Sequence, residues 1–115
     1  MIYTPLAYII CGMEFIETQT FTRLLAGLLT DDEYAGLQSV LVLNPEAGDI
    51  VKRGGGIRKL RHALPGRGKR GGVRVIYYWL RKNGQIYMLL IYPKSKKDTL
   101  TDRETAILFE LVKEL

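Results

Sequence analysis

Residues 73–92 constrain the fold more than any other part of the chain. "VRVIYYWL" (Val73–Leu80) is dense in β-branched and aromatic residues, and "QIYMLLIY" (Gln85–Tyr92) follows after only "RKNG". Two such runs are strands by composition. Asn83-Gly84 between them is the strongest short-range hairpin signal. Both faces of the second strand are apolar, so it belongs in the interior of a sheet.

The rest of the chain arranges itself around that hairpin. Ile57–Ala63 reads as a third strand. Its side chains alternate in two sets, Ile57, Lys59, Arg61 and Arg58, Leu60, His62. Neither set is purely apolar, so one face of this strand meets solvent or a ligand. "PGRGKRGG" (Pro65–Gly72) is a turn-rich loop. "EFIET" (Glu14–Thr18) alternates as a short strand, and Phe21, Leu24, Leu25 and Leu28 recur at helical spacing. "TDDE" (Thr30–Glu33) has the capping-box pattern, in which the threonine accepts from the third helical amide and the glutamate reaches back. The helix it opens presents Tyr34, Leu37 and Leu41 on one face. It should stop near Asn44, because a residue before proline disfavours helical dihedrals. "NPEAGD" is a turn, and three glycines at 54–56 exclude a helix there. "TDRE" (Thr101–Glu104) repeats the capping box before a stripe of Ile107, Leu108, Leu111 and Leu115.

This order of elements predicts an α+β domain. A curved, mainly antiparallel sheet carries two N-terminal helices and one C-terminal helix on one side, leaving the other side for function. A length of 115 residues with 47% hydrophobic content suits one domain. The first twelve residues, "MIYTPLAYIICG", are apolar and uncharged, without the basic start and cleavage site of a signal peptide. Pro5 and the short length argue against a membrane span. Met13 opens the strand-like "MEFIET". Residues 1–12 therefore read as an upstream extension before a natural start at Met13, or as an added edge strand. Residues 13–115 form the domain.

Charge is segregated. Residues 50–97 hold 14 of the 17 Lys and Arg and none of the 12 Asp and Glu. Mixed charge is an ordinary solvated surface, whereas segregation predicts a positive face and a polyanionic partner. Cys11 is the only cysteine and His62 the only histidine. That excludes an internal disulfide, fits a reducing cytoplasm and argues against structural zinc. No cofactor is expected.

Arg74 is the residue hardest to explain as structure. It lies in an apolar strand and shares a face with Ile76 and Tyr78. A guanidinium there calls for an anionic ligand or for a distant acid such as Glu17 or Asp49. Lys59 and Arg61 share a face of the preceding strand. If the two strands pair, three cations converge, and Lys94 is placed to close the cluster. Arginine can hold a phosphate through two parallel hydrogen bonds, and lysine acts as a mobile point charge. "GRGKRGG" departs from the Walker A pattern, because Gly68-Lys69 is followed by Arg70 and opens no helix. Contacts by Arg67, Lys69 and Arg70 to a nucleic-acid backbone suit it better. No Cys-His pair, Gly-x-Ser-x-Gly or metal-ligand cluster is legible. Catalysis would have to rest on cations, which suits RNA cleavage: arginine and lysine stabilise the added charge on a pentacovalent phosphate. A lysine crowded by other cations can move a proton. His62 alternates to the opposite face from Lys59 and Arg61 and is the weaker acid–base candidate.

"GIRKLRHALPGRGKRGGVRVIYYWL", then "QIYMLLIYPKSKKDTL" and a final helix, resembles the RelE superfamily of bacterial toxins, most closely its HigB-like branch. The resemblance covers about Met13 to Leu115. It implies a toxin of a type II toxin–antitoxin system, a metal-independent mRNA interferase that enters the ribosomal A site. There the substrate's 2′-hydroxyl attacks the adjacent phosphate. It also implies a cognate antitoxin, often a helix-turn-helix, HigA-like protein, that neutralises the toxin and contacts operator DNA. The implied setting is cytoplasmic. By this resemblance the catalytic set falls on Lys59, Arg61, Arg74 and Lys94. RNA or ribosome contacts fall on Arg58, Arg67, Lys69, Arg70, Lys96 and Lys97. Some members use a tyrosine near the C-terminal helix. Residues 98–115 contain none, and Lys59 is then the first choice of general base. The alternatives are a non-catalytic nucleic-acid-binding module and an inactive toxin homologue acting through its antitoxin.

Overall fold

A computed structural model describes residues 6–66, 71–97 and 99–115. Six strands form one sheet: β1 (Leu6–Ile10), β2 (Met13–Glu17), β3 (Asp49–Ile50), β4 (Arg58–His62), β5 (Val73–Leu80) and β6 (Gln85–Pro93). Their order across the sheet is β1-β2-β6-β5-β4-β3. Only the β2–β6 pair is parallel among the described strands. β6 thus lies inside the sheet, as its two apolar faces require. β1 turns back onto β2 through Cys11 and Gly12, both at positive φ (52° and 80°).

The helices are α1 (Gln19–Leu28), α2 (Asp31–Leu43) and α3 (Asp102–Val112). Both predicted capping boxes are formed, at Thr30/Glu33 and Thr101/Glu104. Each is a local device that satisfies two orphan amides at a helix start. Thr18 caps α1 by accepting from the Phe21 amide, and its own hydroxyl donates to the Leu89 carbonyl at 2.8 Å. The cap therefore also ties α1 to the central strand. Asn44 ends α2, as Pro45 requires.

The α+β class and the mainly antiparallel sheet are as expected, but the three helices do not share one side. Phe15, Val75, Tyr77 and Met88 pack with Phe21, Leu37 and Leu41 of α1 and α2. Ile16, Ile76, Tyr87 and Leu89 point the other way and pack with Leu111 and Val112 of α3. The reason is in the alternation of β5 and β6. Their second face is apolar along most of its length, and each fully covered side chain there contributes about 1.5–3 kcal/mol. An uncovered face of that kind would be costly, and the stripe on α3 covers it. The cationic cluster is confined to the end of this face.

The "RKNG" connection is a short 3₁₀ turn, Arg81–Asn83, closed by Gly84 at φ 64°. Asn44–Gly48 is a turn, with the Ala47 amide donating to the Asn44 carbonyl. The two-residue strand β3 after it was not evident from the sequence. No helix among the described residues is long and apolar enough to cross a membrane.

Candidate functional site

Lys59 and Arg61 point to the α3 side of β4, and Arg74 to the same side of β5. The register makes two lateral rows. In one, Arg61 stands opposite Arg74, which stands opposite Tyr92 of β6. In the next, Asp49 of β3 stands opposite Lys59, which stands opposite Ile76. Directly opposed side chains in a sheet lie about 4.5–5.5 Å apart at Cβ. Three of the four residues expected to be catalytic, Lys59, Arg61 and Arg74, therefore meet at one end of one face.

Their exposures differ in an informative way. Arg74 is 7% exposed, whereas the Arg61 side chain is 50% exposed. Arg74 thus lies at the floor of this end of the face, and Arg61 lies above it, partly open to solvent. Neither expected acid serves as the sequence suggested. Glu17 is fully buried on the opposite face, where its carboxyl accepts from Thr22 Oγ1 and the Tyr34 hydroxyl, each at 2.6 Å. Asp49 pairs instead with Arg61, Oδ2 to Nη1 at 3.3 Å.

Asp49 is held in place by the turn before it. The Tyr77 hydroxyl donates to the Pro45 carbonyl at 2.7 Å and accepts from the Gly48 amide at 2.9 Å. Burial pushes the Tyr77 phenol above its ordinary range, partly offset by that amide. Gly48 is required there: a Cβ would lie 2.9 Å from the Lys59 carbonyl oxygen and from Tyr77 Cε1. Arg58 belongs to this scaffold and does not join the cluster. It lies on the other face of β4, where Nη1 donates to the Gly48 carbonyl at 2.8 Å and Nη2 pairs with Glu46. Strand alternation turns Arg58 away from Lys59 and Arg61.

Lys94 follows β6 in an exposed turn, its amide donating to the Gly72 carbonyl at 3.0 Å. This backbone bond places Lys94 beside the start of β5, near Arg74. Lys96 is exposed in the same turn. Lys97 is paired with Glu104 and lies 5.0 Å from the Tyr92 ring centroid. That hydrogen bond, with the Thr101 amide, holds the Glu104 carboxyl below the usual carboxylate range. Lys97 thus pins the end of β6 to the start of α3. Arg67, Lys69 and Arg70 lie outside the described residues. His62 faces α2, and burial lowers its pKa, with Glu33 opposing the shift.

One site residue escaped the sequence reading: Tyr92 completes the Arg61–Arg74 row, a position that only strand register reveals. Asp49, named from the sequence as an acid for Arg74, sits ten positions from Lys59 and reaches it through a turn. Asp49, Lys52, Lys59 and Arg61, with Val51 and Leu100, line a cleft of about 290 Å³.

Arg61 and Arg74 stand opposed at one end of the α+β sheet. A family model for the RelE toxin of the RelE/RelB toxin–antitoxin system matches residues 15–115. The chain belongs to the RelE toxin family. It is therefore a toxin-type component of a toxin–antitoxin system, and an antitoxin is its implied partner. Toxins of the RelE family are generally endoribonucleases that cleave mRNA. The match spans all three helices and every strand but β1 and the first residues of β2.

Proposed function

We propose that this RelE-family chain is a metal-independent, ribosome-dependent endoribonuclease of the HigB-like branch, acting in the cytoplasm on mRNA in the ribosomal A site. The observation that carries the reading is the opposition of Arg61 and Arg74. A phosphate beside the two guanidiniums can accept charge-assisted hydrogen bonds from both. In the reaction, the 2′-oxygen bonds to the adjacent phosphorus and the bond from phosphorus to the 5′-oxygen breaks. The products carry a cyclic phosphate and a 5′-hydroxyl. Arg74 and Arg61 stabilise the charge that builds on the pentacovalent phosphate. Lys59 acts as the general base for the 2′-hydroxyl proton, and solvent water protonates the leaving 5′-oxygen. Lys94 contacts the phosphate from the far side of β5. Lys96, and Arg67, Lys69 and Arg70 of the 65–72 loop, hold the RNA or ribosomal RNA backbone. A helix-turn-helix, HigA-like antitoxin neutralises the chain and carries it to operator DNA.

The test is growth. Expression without antitoxin should arrest cells, and Arg74→Ala should relieve the arrest while circular dichroism and thermal melting show a folded chain. Full toxicity in folded Arg74→Ala would remove Arg74 from the mechanism. The second reading is a non-catalytic nucleic-acid-binding module or inactive homologue, favoured by the absence of tyrosine in residues 98–115. It predicts salt-sensitive RNA binding with no cleavage on translating ribosomes.

A further inference from the structure

The two edges of the sheet are unlike. β3 is two residues long and carries Asp49, whose side chain is 78% exposed, with the exposed Lys52 and Arg53 just beyond it. A short, charged edge of this kind discourages strand pairing. β1 at the other edge is five residues, "LAYII", with no charge, glycine or proline. It lies outside the residues 15–115 that the family model matches.

The hydrogen-bond pattern shows what the β1 edge offers. The Glu14 amide donates to the Gly84 carbonyl and the Thr18 amide to the Met88 carbonyl, both on the β6 side. The even-numbered residues of β2 therefore bond toward β6. Met13, Phe15 and Glu17 are left to bond β1, where they stand opposite Ile10, Tyr8 and Leu6. Cys11 and Gly12, both at positive φ, close this hairpin as a tight turn and fix its register. Ala7 and Ile9 then direct their N–H and C=O groups outward, with no strand beyond them among the described residues. Ile9 is also 75% exposed.

We infer that β1 is a homodimerisation strand, through which two copies of this chain pair antiparallel about a two-fold axis at Tyr8. The outward groups are spaced evenly on either side of Tyr8, so the edge is complementary to itself. Ala7 exchanges both N–H···O bonds with Ile9 of the second copy, and Ile9 does the same with Ala7 of the second copy. Ile9 is covered by that alanine and, diagonally, by Ile9 of the second copy. β3 is too short and too charged to receive β1, so the contact closes as a dimer instead of running on as a filament. Net charge does not oppose it. The order β1-β2-β6-β5-β4 puts the two β4 strands roughly nine spacings apart, about 43 Å. The screening length at physiological salt is about 8 Å. Both cationic clusters stay open, at opposite ends of one continuous sheet. A contact this small makes a weak dimer, with a dissociation constant of micromolar order. None of this depends on the chain's cleaving RNA.

Analytical ultracentrifugation of the purified full chain, from about 1 to 200 µM, should show a monomer–dimer equilibrium. Ile9→Pro removes the outward Ile9 donor from each chain and leaves the β1–β2 ladder intact, as proline does on a free edge. It should raise the dissociation constant about tenfold or more with the circular dichroism spectrum unchanged. Ile9→Lys keeps the donor and sets like charges diagonally across the axis, so it should also weaken the dimer. If Ile9→Pro alters the spectrum, Ile9→Lys decides. The register has its own test. With Cys11→Ser, Tyr8→Cys puts a thiol on the axis, where facing Cα atoms are about 4.5 Å apart, and oxidised glutathione should link the two chains. In the unaltered chain the Cys11 positions would be roughly 20 Å apart, beyond disulfide reach, and no link should form. A monomer throughout, a dimer that both Ile9 variants leave unweakened, or linkage through Cys11 without linkage in Tyr8→Cys overturns the inference.

Discussion

Arg61 of β4 and Arg74 of β5 face one another directly across an antiparallel pair, on the same side of the sheet. Arg74 is buried and Arg61 half exposed. In the proposed function, an anion bound here is held by charge-assisted contacts from both guanidiniums.

A polyanion should stabilise the fold through this pair. A short oligoribonucleotide at about 100 times its dissociation constant should add about 2.7 kcal/mol to the unfolding free energy. Arg61→Ala should weaken binding and so reduce the gain at the same ligand concentration. The apparent affinity should fall with salt, with a log–log slope of about −0.7 per phosphate contacted. Urea unfolding with and without the oligonucleotide, at two salt concentrations, checks both statements.

The turn that carries Asp49 depends on one phenol. Tyr77→Phe removes the donor to the Pro45 carbonyl and the acceptor of the Gly48 amide. Leaving such buried groups unsatisfied costs about 1–3 kcal/mol. Gly48→Ala forces a Cβ against the Lys59 carbonyl and the Tyr77 ring, and overpacking of that kind also costs about 1–3 kcal/mol. Chemical denaturation of each variant measures these losses.

His62 gives the fold a pH dependence. Its pKa is lowered mainly by burial, with Glu33 acting the other way. The folded chain therefore holds this imidazole neutral over a range where the unfolded chain binds a proton. Stability is fully present above the unfolded value of about 6.5. It declines as pH falls from there toward the lower folded pKa. His62→Gln should flatten the profile in that window. Unfolding curves at about pH 5.5 and pH 7.5 would show it. An unchanged slope in His62→Gln would assign the dependence to other groups.

Much of this architecture is legible residue by residue. The capping boxes at Thr30 and Thr101 are local patterns, and the β5–β6 hairpin is a composition signal with a glycine where the chain needs positive φ. Arg74 stands out because a cation interrupts an apolar strand. What escaped is non-local. The parallel pairing of β2 with β6 joins segments about 70 residues apart, with no turn to announce it. The side taken by α3 was written in the second apolar face of β5 and β6, in Ile76, Tyr78, Tyr87 and Leu89, and becomes clear only when both strands are read against one another. Arg58 was separated from Lys59 and Arg61 by alternation alone. The strand that carries Asp49 was hidden because two residues leave almost no periodicity.

The central claim is that this RelE-family chain cuts mRNA with Arg74 at the reacting phosphate. Mapping the 5′ ends of cellular mRNA after induction, with Arg74→Ala as the control, tests it most directly. The account predicts new 5′-hydroxyl ends within translated reading frames, reduced by about 100-fold or more in folded Arg74→Ala, the scale on which removal of one transition-state donor acts. New ends of equal abundance in the two proteins, or none in either while the unaltered chain still binds RNA, would contradict it.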